Sequence, residues 1–406
     1  MTDSSAMCGD PTLAGPLDGV RVLDITSVVM GPYATQVLGD LGADVITVEP
    51  PQGEANRSMG PGPLPQLSGV ALNLLRNKRN IAIDFKRPDG LQALLDVAAT
   101  CDVMVTNLRP GTLARAGIAY EDVAARRPDI IYCQAHGFPS GGPRADDPAY
   151  DDVVQTETGI ADATSRLTGK PMVSATIMAD KVCGLTIVYA VSAALYHRAR
   201  TGEGQRIEVP MVETITAFTL VEHGAAAIPV PPIGPAGYSR VLNQERGPWP
   251  TRDGWVMALP YTKEHYDSIF SAAGRTDMVG DVRYSTASLR IANAPFLYRT
   301  VGQMMAERNT DEWLAFFREQ DVPAAPVASL DSLVEGLPVT EHPAAGGFRS
   351  IPPAVRFDRT PQTLRRPAPL IGQHTDEVLA EAGYDAEGIA GLRRSGALCA
   401  VPDELS

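Results

Sequence analysis

From Gly19 onward, apolar runs of strand length alternate with stretches of helical spacing. "GVRVLDIT" reads as a buried strand, "GPYATQVLGDLG" as a helix entered through Pro32, and "ADVITVEPP" as a second strand stopped by prolines. They form one βαβ unit. The pattern repeats as "NIAIDFK", an alternating strand, "PDGLQALLDVAATC", a helix with Pro88 near its start, "DVMVTN", a strand, and, after two short helical stretches, the strand "DIIYCQAHGF". Such alternation predicts an α/β fold with a Rossmann-like parallel sheet covered on both faces. The loops at Thr26 to Gly31, Pro50 to Asn56, Asn107 to Gly111 and His136 to Gly142 then leave the carboxyl ends of the strands, where open α/β sheets bind ligands.

Further along, "VSATIMADKVCGLTIVYAVSAALYHRAR" places Asp180 at the mouth of a charge-free run of 14 residues, Cys183 to Tyr196. That run is shorter than the roughly 18 to 20 apolar residues a membrane span needs, and it contains Thr186 and Ser192, so it reads as a buried core helix. From about 225 the texture changes to the Pro- and Gly-rich "AAAIPVPPIGPAGYS". The division this predicts is a loose tail at 1–16, a large domain at 17–224, a linker at 225–240, a smaller α+β domain at 241–335, and a returning segment at 336–406. That last segment is too short for a core of its own and is expected to complete the large domain or to pack on a partner subunit.

Composition narrows the chemistry. At 406 residues with 44% apolar content the chain has material for two cores, and its formal charge of −13 disfavours nucleic acid and anionic membrane as partners. The five cysteines, Cys8, Cys101, Cys133, Cys183 and Cys399, show neither metal-ligand spacing nor a disulfide framework, which fits a reducing cytoplasm. The N-terminus lacks a signal peptide's basic and apolar regions. There is no G-x-G-x-x-G, Walker A lysine, H-E-x-x-H or G-x-S-x-G, so dinucleotide, nucleoside triphosphate, zinc-hydrolase and serine-hydrolase readings are all disfavoured.

Basic residues cluster in "RNKRN" (Arg76, Lys78, Arg79), at Lys86, and in "NLRPGTLARAG" (Arg109, Arg115). A solvated face is one explanation of such runs. The position of Lys86 and of Asn107 to Arg109 at two strand ends of an acidic chain points instead to a phosphate-bearing ligand. Asp180 has two readings as well. It either caps or complements the positive end of its helix, or it is an ionised, partly desolvated nucleophile beside backbone N–H groups that stabilise an oxyanion.

Taken as ordered blocks, "LDGVRVLDIT...GPYATQVLGDLGADVITVEPPQGE", "NKRNIAIDFKRPDG", "VTNLRPGTLARAGI", "PAYDDVVQTETG", "VSATIMADKVCG", "TGEGQRIEVPMVE", "TRDGWVMA", "FREQDVPAAPVASLDSL" and "APLIGQHTDEVLAEAGY" resemble the family III CoA-transferases from about Leu17 to the C-terminal helix. The resemblance implies that family's fold, with two subunits interlocked as a homodimer, and it makes Asp180 the nucleophile. It further implies CoA-binding positions at Val29, Met30, Ile83, Lys86, Asn107, Leu108, Arg109, Arg115, Tyr150 and Asp151. The substrates implied are acyl-CoA thioesters and a carboxylic acid acceptor, with no metal and no permanently bound cofactor.

One branch, resembling α-methylacyl-CoA racemase, is the alternative. Its histidine stands directly before an aspartate where this chain has Tyr150 before Asp151, and His136, His197 and His223 are the histidines left to substitute. A CoA-binding protein without turnover is a second alternative. Relative to formyl-CoA transferases this chain has Val29 in place of a glutamine and no run of four glycines, and the apolar "SVVM" favours a larger acyl group.

Overall fold

A computed structural model describes residues 15–398. The expected tail at 1–16 therefore falls almost wholly outside the described residues. In chain order the elements are β1 (Arg21–Ile25), α1 (Met30–Asp40), β2 (Asp44–Glu49), α2 (Gly69–Leu74), β3 (Lys78–Ala82), α3 (Pro88–Ala99), β4 (Val103–Thr106), α4 (Pro110–Ala116), α5 (Tyr120–Ala124), β5 (Ile131–His136), α6 (Asp151–Glu157), α7 (Ile160–Thr168), α8 (Met178–Thr201), β6 (Gln205–Pro210) and α9 (Met211–His223). Then follow β7 (Trp249–Pro250), β8 (Trp255–Ala258), α10 (Lys263–Ala272), α11 (Ala287–Ala292), α12 (Ala294–Met305), α13 (Thr310–Glu319), β9 (Ala324–Pro326), α14 (Leu330–Glu335), β10 (Val339–His342), β11 (Gly346–Arg349), α15 (Thr375–Glu381) and α16 (Ala386–Ser395).

The chain forms two units. The first gathers 15–158, 174–218 and 337–398, and the second 159–173 and 219–336. Residues 159–173, which the sequence reading placed in the large domain, thus cluster with the second unit, and its boundary falls inside α9 rather than after it.

The first unit is an α/β fold on a six-stranded parallel sheet ordered β3-β2-β1-β4-β5-β6. The order reverses between β1 and β4, which opens a crevice at their carboxyl ends. Strands buried on both faces need apolar residues at successive positions, as in Val22, Leu23 and Ile25. Leu23, Ile46 and Met104 face Leu94 and Val97 of α3, with Val378, Leu379 and Leu392 of α15 and α16 in the same core. The second unit has its own core around Trp313, Phe270, Tyr284 and Leu297, beside a three-stranded sheet ordered β7-β8-β9.

The opposite face of the large sheet carries a charge. Lys78 on β3 is fully buried, and its stem reaches across β2 so that Nζ donates to Asp24 Oδ2 at 2.9 Å, Thr35 Oγ1 at 2.7 Å and the Pro32 carbonyl at 3.0 Å. Asp24 also accepts from the Thr26 and Thr35 hydroxyls. Its neighbours are equally enclosed. Arg76 and Asn77 hold Asp40 at the end of α1, and Arg79 holds Asp44 with Glu377 and Glu381 of α15. The "RNKRN" run is therefore neither a solvated face nor a phosphate site. It is an edge strand whose long cations staple the helices on both sides.

Helix α8 departs from its expected burial. Ala179, Cys183, Gly184, Ile187, Val191 and Ala194 form a buried stripe at helical spacing, while Leu185, Tyr189 and Tyr196 stand exposed, Tyr189 at 66%. With its 24 residues it is the one described helix long and apolar enough to cross a membrane, and its buried stripe packs on α1 and the sheet. Apolar residues on both faces of a helix call for a second contact beyond the one in this unit.

Replacing Lys78 with Met leaves Asp24 buried without its cation. The expected loss is about 3 to 5 kcal/mol in denaturant unfolding, partly recovered in the Lys78→Met, Asp24→Asn double variant. A single-variant loss below about 1 kcal/mol contradicts the assigned role.

Candidate active site

The crevice at the switch point is a cleft of about 580 Å³. Ile25 to Ser27 line it after β1, Pro50 to Gln52 after β2, Ile83 to Lys86 after β3, and Leu108, Thr112 and Arg115 after β4. Four of the predicted positions, Ile83, Lys86, Leu108 and Arg115, thus meet in one cavity. Its cations are Lys86 and Arg115, both exposed. Among the described residues neither has a carboxylate partner, although Arg115 does donate to Thr112 Oγ1 at 3.3 Å. Two unpaired cations in a cleft of an acidic protein attract an anion.

Asn107 and Arg109 are held by bonds to other loops. Asn107 does not line the cleft. It accepts the Ser27 N–H and donates to the Ser27 carbonyl, each at 2.9 Å, and so pins the β1–α1 turn to β4. Arg109 turns away to donate to the Asp146 carbonyl at 2.9 Å, while Asp146 Oδ1 accepts the Gly111 N–H at the start of α4. Glu54 was missed from the sequence. Burial, then the charges of Glu49 and Asp24, push its carboxyl up to about 7, so the cleft contains an acid that is neutral over part of the physiological range.

The β1–α1 turn joins this cleft to Asp180. Gly31 lies where a Cβ would stand 2.3 Å from Thr26 Cβ, and Gly184, one turn beyond Asp180, lies where a Cβ would stand 2.9 Å from the Met30 carbonyl oxygen. Both are close approaches that a larger residue would force apart. They seat the start of α1 between the cleft and α8. Val29 and Met30 are buried there, and Val28 before them holds φ at 65°, a left-handed conformation that costs a β-branched residue about 1 to 3 kcal/mol.

Asp180 is the third residue of α8 and is 8% exposed. Its side chain does not cap the helix. The cap comes from Asp151 on α6, whose Oδ1 accepts the Asp180 N–H at 3.0 Å, while Gln155, one turn later, donates to Asp151 Oδ2. Gln155 Oε1 in turn accepts the Ser174 N–H and hydroxyl at 2.9 Å each, fixing the chain that enters α8. With the orphan N–H satisfied by a neighbour, the Asp180 carboxylate makes no hydrogen bond or ion pair among the described residues. Burial, aided by the Asp151 charge, pushes it up to about 6. Of the two sequence readings, capping gives way to an unpartnered, poised carboxyl, although the dipole still favours its charge. Tyr150, just before α6, is 68% exposed.

Of the three histidines, His136 is buried at the end of β5 with Nε2 at 3.3 Å from Ser140 Oγ and 3.4 Å from Glu208. His197 lies 17 residues beyond Asp180 on one helix, roughly 25 Å along its axis. His223 Nδ1 accepts the Tyr238 N–H within the second unit.

The fold and site define an α/β protein with a switch-point cleft suited to an anionic ligand and, across one turn, a buried carboxyl without a partner. Residues 17–375 match the family model for CoA-transferase family III. The chain is 33% identical to succinyl-CoA:glutarate CoA-transferase of Mus musculus, covering 94% of this chain and 90% of that one, and 30% identical to formyl-CoA:oxalate CoA-transferase of Rhodopseudomonas palustris, covering 94% and 97%. A CaiB/BaiF family protein from Brucella suis has a crystal structure with a TM-score of 0.78 at 26% identity, over 91% of this chain and 100% of that one. The protein belongs to CoA-transferase family III and is an enzyme of that family, whose substrates are CoA thioesters.

Asp151→Ala removes both the cap and the nearby charge. The protein is expected to lose about 0.5 to 2 kcal/mol of stability while the Asp180 carboxyl, followed by carbon-13 NMR, titrates below its present value of about 6. An unchanged Asp180 titration contradicts the coupling.

Proposed function

We propose that this enzyme moves CoA from an acyl-CoA to a free carboxylic acid by covalent catalysis at Asp180. The observation that carries this reading is the buried, unbonded Asp180 carboxyl whose helix N–H is occupied by Asp151. In the ionised form it attacks the thioester carbonyl, the C–S bond breaks, and an acyl-aspartyl anhydride forms with release of CoA thiolate. The thiolate attacks the aspartyl carbonyl and frees the donor acid, giving an aspartyl-CoA thioester. An acceptor carboxylate attacks that thioester, and the returning thiolate takes the acceptor acyl group and restores Asp180. The thioester bond energy is carried from acid to acid, and no step uses a metal or redox group.

Lys86 and Arg115 are the candidates for the CoA phosphates, as charge-assisted donors without competing carboxylates. Ile83 and Leu108 give the cleft apolar wall, and Asn107 acts by holding the Ser27 turn. Val29 and Met30 make the acyl side apolar and favour an acid larger than formate. The names of the mouse and bacterial relatives make succinyl-CoA with glutarate the first pair to try. Docking of a second copy of the chain against the exposed Leu185, Tyr189 and Tyr196 stripe is the proposed homodimer contact, and the buried free thiols of Cys101, Cys133 and Cys183 support a reducing cytoplasm as the compartment.

The racemase reading needs a second acid or base at the α-carbon. His197 is too far along α8, and His136 is engaged by Ser140 and Glu208, which supports transfer over racemisation. Purified enzyme given acyl-CoAs and free acids in deuterated solvent is expected to form new thioesters, with loss of at least about 1000-fold in Asp180→Asn. Activity should fall as pH drops through about 6. In the folded protein the raised carboxyl holds its proton longer than the unfolded chain does, so its ionisation removes stability as pH rises from about 4 through 6. The same Asp180→Asn variant should therefore be about 1 to 3 kcal/mol more stable at pH 8. Deuterium at the α-carbon of an unchanged thioester would instead establish racemisation.

A further inference from the structure

The second unit carries a pocket of about 100 Å³ framed by the loop after β8, the start of α10, and helices α11 and α12. Arg240 and Arg290 both line it, together with Tyr261, Tyr266 and Tyr298. Arg240 Nε donates to Tyr298 Oη at 3.3 Å, and its guanidinium lies 4.5 Å from the centre of the Tyr261 ring. Arg290 donates to the Tyr284 carbonyl at 2.8 Å.

Three arginines of this unit are ion-paired, Arg275 with Asp277, Arg283 with Asp281 and Arg299 with Glu245. Among the described residues, neither Arg240 nor Arg290 has a carboxylate within ion-pair distance. Tyr298 Oη accepts from Arg240 and the Tyr284 carbonyl from Arg290, and neither acceptor cancels the charge. Two cationic side chains on the wall of one small pocket give it a positive potential that an anion complements. Arginine's planar fork matches the two oxygens of a carboxylate, and Pro260, Ile291 and the tyrosine rings provide an apolar wall for a short carbon stem. The volume admits an acid head and little more, so the pocket is too small for the nucleotide of CoA.

We infer that this pocket binds one carboxylate of a small organic acid, held by Arg240 and Arg290 with Tyr298 fixing the Arg240 side chain. The assignment concerns free acid and does not depend on Asp180 chemistry.

The test is calorimetric titration of the full-length protein, without CoA, with succinate and separately with inorganic phosphate, repeated for Arg240→Met, Arg290→Met and Tyr298→Phe. Saturable succinate binding is expected, weakened about tenfold or more in each arginine variant and less in Tyr298→Phe, with phosphate the poorer ligand. Thermal melts identify any arginine variant that fails to fold, and Tyr298→Phe, which removes only a hydroxyl, then decides the question by weakening succinate binding or leaving it unchanged. Absence of saturable binding, unchanged affinity in the folded variants, or tighter binding of phosphate than succinate with the same arginine dependence each overturns the assignment.

Discussion

A buried lysine fixes where this enzyme keeps its site. Lys78 gives up solvent entirely to meet Asp24, Thr35 and the Pro32 carbonyl, and those partners belong to the strand and helix that flank the β1–α1 turn. A buried charge is stable only while its geometry is satisfied, so the turn has little freedom. On one side of it lies the cleft at the sheet's switch point. On the other, Gly184 lets α8 approach the first residues of α1 closely enough to bring Asp180 to that end of the sheet.

The site trades stability for reactivity in a way that can be followed residue by residue. A carboxyl near a helix start normally gains by capping it. Here Asp151 takes the N–H, Gln155 holds Asp151, and Asp180 is left buried beside a like charge. The cost is a carboxyl pushed up to about 6, and the result is a carboxylate without a hydrogen bond among the described residues, as the proposed nucleophilic role requires. The strained Val28 sits in the β1–α1 turn beside the cleft.

Much of this was legible in the chain. The strands β1, β2, β4 and β5 were legible as apolar runs buried on both faces, whereas β3 begins at Lys78 and is wholly buried rather than the alternating strand read in "NIAIDFK", and α2 went unread. The resemblance of ordered blocks led to the family that the comparisons then established. Lys86, read from its place near a strand end, and Arg115, suggested by the resemblance, both line the cleft. Sequence position does not reveal where a long side chain turns. Lys78 runs across β2 into the interior, Arg109 swings to Asp146, and Asn107 bonds the neighbouring turn rather than lining the cleft. Gln155 and Glu54 carried no motif, although Gln155 stands four residues after Asp151 on one helix face. The outward stripe of α8 was read as core because composition cannot separate a buried apolar face from an exposed one.

The central claim is that CoA passes through a covalent bond to Asp180. Incubation of the enzyme with an acyl-CoA and hydroxylamine, followed by peptide mass spectrometry, tests it most directly. Formation of a hydroxamate on Asp180, dependent on acyl-CoA and absent from the Asp180→Asn variant, is the predicted result. Steady CoA transfer with no modification at Asp180, or with modification at another carboxylate, would contradict the account.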